Sequence, residues 1–118
     1  MRMDKLTIKS REAIEQMQHI CASKHHSEMT TLHLLSALCA QPGTVTSLLE
    51  RLGVKMPQIK SGLDAAMNRL PRVSGTEASM ARELVQVLEA CQKLATDMRD
   101  EYVSTEHMIL AMMRELNS

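Results

Sequence analysis

The stretch TTLHLLSAL, residues 30–38, has a near copy in the same chain, STEHMILAM, residues 104–112. His33 of the first stretch aligns with His107 of the second, so the two copies are 74 residues apart. Self-similarity at a fixed spacing indicates a duplicated structural unit. The other matched positions are small or apolar in both copies: Thr31 with Thr105, Leu34 with Met108, Leu35 with Ile109, Ala37 with Ala111 and Leu38 with Met112.

Each copy follows a longer segment, residues 7–21 and 80–95, whose apolar side chains recur at helical spacing. The duplicated unit is therefore predicted to be a helix–loop–helix. Two more helices are predicted between the copies, and no segment alternates as a strand would, so we predict an all-α fold without a sheet. Deep burial is expected for one set of side chains: Leu34, Leu35, Leu38, Leu63, Leu84 and Ile109.

The chain of 118 residues suits one domain, 1–118. We expect repeat one at about 1–70, a linker at 71–79 where Pro and Gly cluster, and a partial repeat two at 80–118. Counterparts of the third and fourth helices do not follow the second copy, so the second repeat is expected to be shortened, in a piece of a longer protein or in a natural short form. This should leave an apolar strip around Met112, Met113 and Leu116.

Charge and composition exclude several classes of protein. Fourteen basic residues balance fourteen acidic residues, which gives no general attraction to nucleic acid or to an anionic membrane. No apolar run reaches the roughly 20 residues that span a bilayer, and MRMDKLTIKS lacks the features of a signal peptide. Three cysteines without a C-x-x-C motif indicate reduced thiols. We therefore expect a cytoplasmic protein with no membrane and no nucleic-acid partner.

The pair Glu106-His107 could suggest catalysis, but the duplication favours architecture. The first copy has Leu32 where the second has Glu106, and a catalytic dyad would need its carboxylate. A histidine in the first turn of a helix can instead bond back to the cap. Cys21 and His25 lie four residues apart and could start a metal site, but further ligands at zinc-site spacing are lacking. We expect no metal, no cofactor and, without a G-x-x-x-x-G-K-[ST] motif, no ATP site in this chain.

Four stretches together resemble one known family: MRMDKLT, TTLHLLSAL, MNRLPRVSG and LVQVLEACQKLA. They are similar to the Clp N-terminal repeat domain of AAA+ Clp unfoldases, and NRLPRVSG, residues 68–75, looks most like the ClpB disaggregase branch. The resemblance implies a compact bundle of two pseudo-symmetric helical repeats. It further implies a non-enzymatic domain that captures unfolded or aggregated polypeptides for a hexameric ATPase ring.

The resemblance also implies a substrate-binding groove and its rim, which would involve Thr7, Leu88, Ala90, Asp100 and Glu106. His107 joins this set because it stands where ClpB has a usual Leu, and Ala90 is likewise smaller than the usual Leu. Both differences suggest a shallower and more polar site. Glu106 could also have a purely structural role, since the helix dipole favours a carboxylate in a first turn.

Two other functions stay open from the sequence. A protease-linked ClpA- or ClpC-like domain would read degrons or adaptors; ClpC-like members carry a glutamate before the motif histidine in both repeats, and Leu32 breaks that pattern here. A stand-alone helical protein that binds metal or nucleic acid is the alternative of a different class.

Overall fold

The computed structural model describes residues 3–73, 75 and 77–116, and its architecture is helical. The all-α class is confirmed, but the prediction of no sheet is wrong, because residues Glu28–Met29 pair in parallel with Ser79–Met80. Two-residue strands are too short for alternation to register in the sequence. The elements in chain order are a 3-10 turn at Met3–Lys5, α1 Ile8–Ser23, β1 Glu28–Met29, α2 Thr31–Ala40, α3 Thr44–Arg51, α4 Met56–Met67, β2 Ser79–Met80, α5 Arg82–Asp97 and α6 Thr105–Leu116.

The duplication predicted from the sequence is a duplication of structure. Helix α1 packs against α2, and α5 packs against α6 in the same way. Thr31 and Thr105 are the first residues of α2 and α6, as predicted. The bundle of two pseudo-symmetric repeats is thereby confirmed.

The backbone pairs that join the repeats obey the same 74-residue spacing. Met29 pairs with Met80 in the sheet, and Leu6 pairs with Val103 in an isolated parallel bridge. Val103 is 74 residues beyond Met29, and Met80 is 74 residues beyond Leu6. In each repeat, the residue two positions before the first helix therefore pairs with the residue two positions before the second helix of the other repeat. This exchange ties the repeats together about a pseudo-two-fold axis.

The core lies between the two helix pairs and rests on aliphatic side chains. Five of the six predicted core residues are buried, with Leu34, Leu38 and Leu84 at 0% exposure. Leu35 is only half-buried and packs at the edge of the core, so its predicted deep burial is wrong. The apolar stripe of α2 is wider than the surface that the helix buries, so Leu35 at its flank stays partly in solvent.

The ends of α1 and α5 also match. His25 and Arg99, again 74 residues apart, have φ angles of 57° and 60°. After each, a backbone N–H closes the helix end: His26 donates to the Cys21 carbonyl and Asp100 to the Ala95 carbonyl. This left-handed turn is a common helix C-terminus, usually made by glycine. It delivers residues 26 and 100 to equivalent places beneath the next helix.

Candidate functional site

The motif histidine of the first repeat is a capping residue. His33 Nδ1 accepts a hydrogen bond from the Thr30 N–H at 2.9 Å, while Thr30 Oγ1 accepts one from the Leu32 N–H at 3.2 Å. These reciprocal bonds satisfy N–H groups that the first turn of α2 leaves without helical partners. His33 is 0% exposed. The architectural interpretation of the motif histidine is therefore correct.

The second repeat repeats this cap and adds a carboxylate. His107 Nδ1 accepts from the Ser104 N–H at 2.8 Å, so the ring proton lies on Nε2. Nε2 then donates to Asp100 Oδ2 at 2.8 Å. The pair is a neutral imidazole and a carboxylate. Both nitrogens of His107 are occupied within the chain and the residue is 5% exposed, which leaves it no free edge for a ligand.

Asp100, in contrast, is at the surface. Its side chain is 47% exposed although one oxygen is held by His107. The buried ring therefore fixes the direction of an exposed carboxylate. His107 is better described as a residue that positions Asp100 than as a contact residue of the predicted groove.

His26 takes the place of Asp100 in the first repeat. His33 Nε2 lies 2.7 Å from His26 Nδ1, and since His33 Nδ1 is an acceptor, His33 Nε2–H is the donor. Burial, then the neighbouring charges of His26 and Lys24, lower the pKa of His33 to about 4. Burial first, then Lys24 and Arg72, also lower the pKa of His26. Nε2 of His26 is buried and has no hydrogen-bond partner among the described residues.

Two of the predicted site residues, Thr7 and Glu106, meet in a cleft of about 390 Å³, called the first cleft below. Residues of the first turns of α1, α3 and α6 line it, and Glu106 lies in the first turn of α6, where the dipole of that helix favours a carboxylate. Thr105 Oγ1 also donates to Glu106 Oε1 at 3.0 Å. The lining consists of Thr7, Ile8, Lys9, Gln41, Pro42, Gly43, Thr44, Val45, Ser104, Thr105 and Glu106.

Thr7 organises the wall of this cleft. Its Oγ1 accepts from the Ser10 N–H at 3.1 Å as the N-cap of α1 and donates to Ser10 Oγ at 2.9 Å. Ser10 Oγ then donates to the Val103 carbonyl at 2.8 Å. This relay fastens the start of α1 to the segment that leads into α6. Thr7 therefore has a structural role whether or not a ligand binds.

Leu88 lies elsewhere, in an apolar groove of about 380 Å³ between α1 and α5. It is 8% exposed. Ala90 is half-buried against the core and lines neither cavity. Apart from Ala90, the predicted residues thus divide among the first cleft, the Asp100–His107 pair and this groove. The lining of the groove is Met3, Ile14, Gln18, Met80, Val85, Leu88, Glu89 and Gln92.

Sequence reasoning missed the contribution of α3 and its preceding turn. Lys9 of α1 also lines the first cleft, where its Nζ donates to the Pro42 carbonyl at 3.3 Å. Gln41 Nε2 donates to the Lys9 carbonyl at 2.9 Å and braces the same wall. No motif marks these residues. Lys9 lies on α1 and Gln41 caps the end of α2, so the packing of separate helices brings these residues to the first cleft.

All three cysteine thiols are free and buried. Burial raises the pKa of Cys91 to about 12 and raises the pKa values of Cys21 and Cys39. Across residues 3–73, 75 and 77–116, no three His, Cys, Asp or Glu side chains are grouped for metal binding. In the same part of the chain, every helix is too short or too polar to cross a bilayer.

The amino-acid sequence matches known proteins over nearly all of its length. Residues 5–118 match the family model of the Clp repeat (R) N-terminal domain. The Chaperone protein ClpB of Rhodopirellula baltica is 37% identical over 118 residues, 98% of this chain and 13% of that protein. The Chaperone protein ClpB of Bacillus cereus is 32% identical over 121 residues, 98% of this chain and 14% of that protein. The chain therefore spans only a small fraction of these relatives.

Solved structures share the fold at lower identity. The Hsp104 N-terminal domain from Candida albicans has a TM-score of 0.87 and 18% identity, over 96% of this chain and 76% of that one. A complex of the ClpV N-domain with a VipB peptide has a TM-score of 0.82 and 23% identity, over 97% of this chain and 71% of that one. At these identities the likeness establishes the fold alone.

Proposed function

Since the chain belongs to the Clp repeat N-terminal domain family, we propose that it captures unfolded or aggregated polypeptides for a ClpB-like, ATP-driven hexameric ring. The chain itself binds and does not catalyse. ATP hydrolysis and threading belong to other parts of such a ring. The proposed ring would work in the cytoplasm.

One observation carries the proposal: an exposed carboxylate is held in place by a buried neutral ring. Asp100 keeps its direction because His107 donates to it from below at 2.8 Å. A pre-oriented acceptor loses little conformational entropy when a peptide N–H or a basic side chain binds to it. Glu106 adds a second carboxylate, stabilised in the first cleft by helix N-termini.

The apolar groove would bind the apolar side chains of the captured polypeptide. Leu88 and Ile14 form its floor, and two methionines, Met3 and Met80, stand at its edge with 49% and 42% exposure. Methionine side chains are flexible and polarisable, so they adapt to apolar segments of different shape. Weak, promiscuous binding of unfolded chains requires this kind of surface.

A second candidate is the recognition of a dedicated degron or adaptor peptide, as in protease-linked members. The observation that favours it is that the first cleft is a defined recess whose lining includes one carboxylate, Glu106, and one amine, Lys9. The solved ClpV N-domain complex with a VipB peptide shows that a domain of this fold can hold one defined peptide. In this case binding would be specific in sequence.

The test compares Asp100→Ala and Glu106→Ala with Asp64→Ala, which removes an exposed carboxylate from α4. Each variant is titrated with fluorescently labelled casein, and its thermal unfolding is recorded. Asp100→Ala and Glu106→Ala should weaken casein binding by about three- to tenfold, because exposed charge-assisted bonds are worth about 1 kcal/mol. Glu106→Ala should change melting little, whereas Asp100→Ala should also lower the melting temperature, because the buried His107 Nε2–H loses its acceptor. Asp64→Ala should bind as the unmodified chain does.

Two results would reverse this conclusion. If melting falls and casein binding does not change, Asp100 and Glu106 act only as structural caps and leave the site. The second result is that neither the unmodified chain nor any variant binds casein, while the unmodified chain binds one defined peptide selected from a library. If Asp100→Ala and Glu106→Ala then lose binding to that peptide, the second candidate replaces the first.

A further inference from the structure

The apolar groove between α1 and α5 has two thioether side chains at its edge, those of Met3 and Met80. They are 49% and 42% exposed, so a small molecule in solution reaches both. Among the described residues that line the groove, these two carry the only sulfur atoms; the others are Ile14, Gln18, Val85, Leu88, Glu89 and Gln92. A small oxidant that enters the groove therefore meets the thioethers of Met3 and Met80.

Burial protects most of the other sulfur atoms in the described part of the chain. Met17, Met67 and Met108 are 0–1% exposed, and all three cysteines are buried. Burial also raises the pKa values of the thiols of Cys21, Cys39 and Cys91, which keeps them protonated and slow to react with oxidants. Oxidation should therefore begin at exposed methionines.

Two exposed methionines lie away from the groove and provide an internal comparison. Met98, the C-cap residue of α5, is 54% exposed, and Met113 of α6 is 41% exposed. Of the apolar strip predicted from the sequence, Met113 and Leu116 are exposed, whereas Met112 is buried at 5%. Neither Met98 nor Met113 lines the groove, so oxidation of these two leaves its surface unchanged.

Oxidation of a thioether changes the groove because the product is polar. A lone pair of the sulfur attacks one oxygen of hydrogen peroxide, an S–O bond forms and the O–O bond breaks. The hydroxide that leaves takes the proton of the attacked oxygen and becomes water. The sulfur gives up two electrons and the peroxide accepts them. The sulfoxide oxygen stands beside Leu88 and Ile14, where an apolar segment that enters the groove would have to strip it of water.

We propose that Met3 and Met80 are reversible oxidation sites, at which peroxide forms two sulfoxides and thereby weakens the binding of apolar segments in the groove. The effect on binding rests on the proposed capture of polypeptides, whereas the two sites do not. Stereospecific reductases convert methionine sulfoxide back to methionine, so the modification is reversible. Both side chains lie outside the buried core, so the fold should survive their oxidation.

The test uses leucine as the replacement that cannot be oxidised. Met80 stands 74 residues beyond Leu6, and both residues pair with the segment before a second helix, so leucine already has the equivalent position in the first repeat. The test variant is Met3→Leu with Met80→Leu, and the matched control is Met98→Leu with Met113→Leu. Each full chain is treated with graded hydrogen peroxide, and oxidation of every methionine is mapped by peptide mass spectrometry.

Three properties are recorded before and after treatment: casein binding, thermal melting and the fluorescence of bis-ANS, a dye that reports exposed apolar surface. In the unmodified chain, oxidation of Met3 and Met80 should precede that of Met17 and Met67. Casein binding should then fall about tenfold, the value of one apolar side chain removed from contact, and the dye signal should fall with it. Melting should not change, and methionine sulfoxide reductases should restore both signals.

The control variant should lose casein binding and dye fluorescence as the unmodified chain does. The test variant should retain, after peroxide, the casein binding and dye fluorescence that it has before treatment. If Met3 and Met80 stay reduced while Met98 is oxidised, they are not oxidation sites. An equal loss of both signals in the test variant would place the effect at other residues.

Full oxidation of Met3 and Met80 without a change in casein binding would also overturn the proposal. If the untreated chain binds no casein, the proposed function fails, and the dye decides this inference by itself. A loss of dye fluorescence that the test variant does not show would then support the two sites, and an equal loss would refute them. The two proposals therefore fail separately.

Discussion

The buried histidine pair of the first repeat should make the protein sensitive to acid. His33 is neutral in the folded chain because its Nδ1 accepts the Thr30 N–H and its Nε2–H is directed at His26. A second proton would have to displace one of these bonds. In the unfolded chain the same ring is hydrated and binds a proton at its ordinary pKa of 6.5.

The sign and size of the effect follow from proton linkage. The folded-state pKa of His33 is lowered to about 4, so its contribution to stability is complete above pH 6.5 and is lost as the pH falls toward 4. Each tenfold change in acidity over that window is worth about 1.4 kcal/mol, which gives a loss of about 3 kcal/mol from His33. The lowered pKa of His26 acts in the same direction.

The assay is urea denaturation at pH 7.0, 6.0, 5.0 and 4.5 for the unmodified chain and His33→Gln. Glutamine can reproduce the cap, since its side-chain oxygen can accept the Thr30 N–H, but it does not titrate in this range. His33→Gln should be less stable at pH 7 and lose about 2–3 kcal/mol less on acidification. His19→Gln, at an exposed position, is the control and should keep the full acid dependence. An unchanged acid dependence in His33→Gln would refute the reasoning.

Four further substitutions test the packing and the turns by chemical denaturation. Leu34→Ala should cost about 2–5 kcal/mol and Leu35→Ala about half as much, because Leu34 is 0% exposed and Leu35 is half-buried; equal costs would contradict the assigned burial. Arg99→Gly should stabilise the chain by about 0.5–1 kcal/mol, since glycine adopts the φ of 60° without strain; a loss of stability would show that the arginine side chain matters more than its backbone. Ser10→Ala should cost about 1–3 kcal/mol, because the Val103 carbonyl loses a buried donor; no measurable cost would mean that water replaces the hydroxyl.

The sequence by itself determined the helices, the duplication and most of the core. Apolar spacing is a local property, and Leu34, Leu38 and Leu84 recur with the helical period that buries them. The role of the motif histidines was also predictable, because a cap joins residues three apart in the chain. These features depend on neighbours in sequence and need no knowledge of how the helices are arranged.

The tertiary structure alone decided which side chains meet across elements. The turns at His25 and Arg99 have the same backbone form, yet they place His26 beneath one motif histidine and Asp100 beneath the other. One substitution between equivalent positions thus gives a buried neutral pair in one repeat and an exposed carboxylate in the other. Lys9 of α1 and Glu106 of α6 are far apart in the chain, yet both line the first cleft. Contacts between distant segments depend on loop direction and helix packing, which hydrophobic periodicity does not encode.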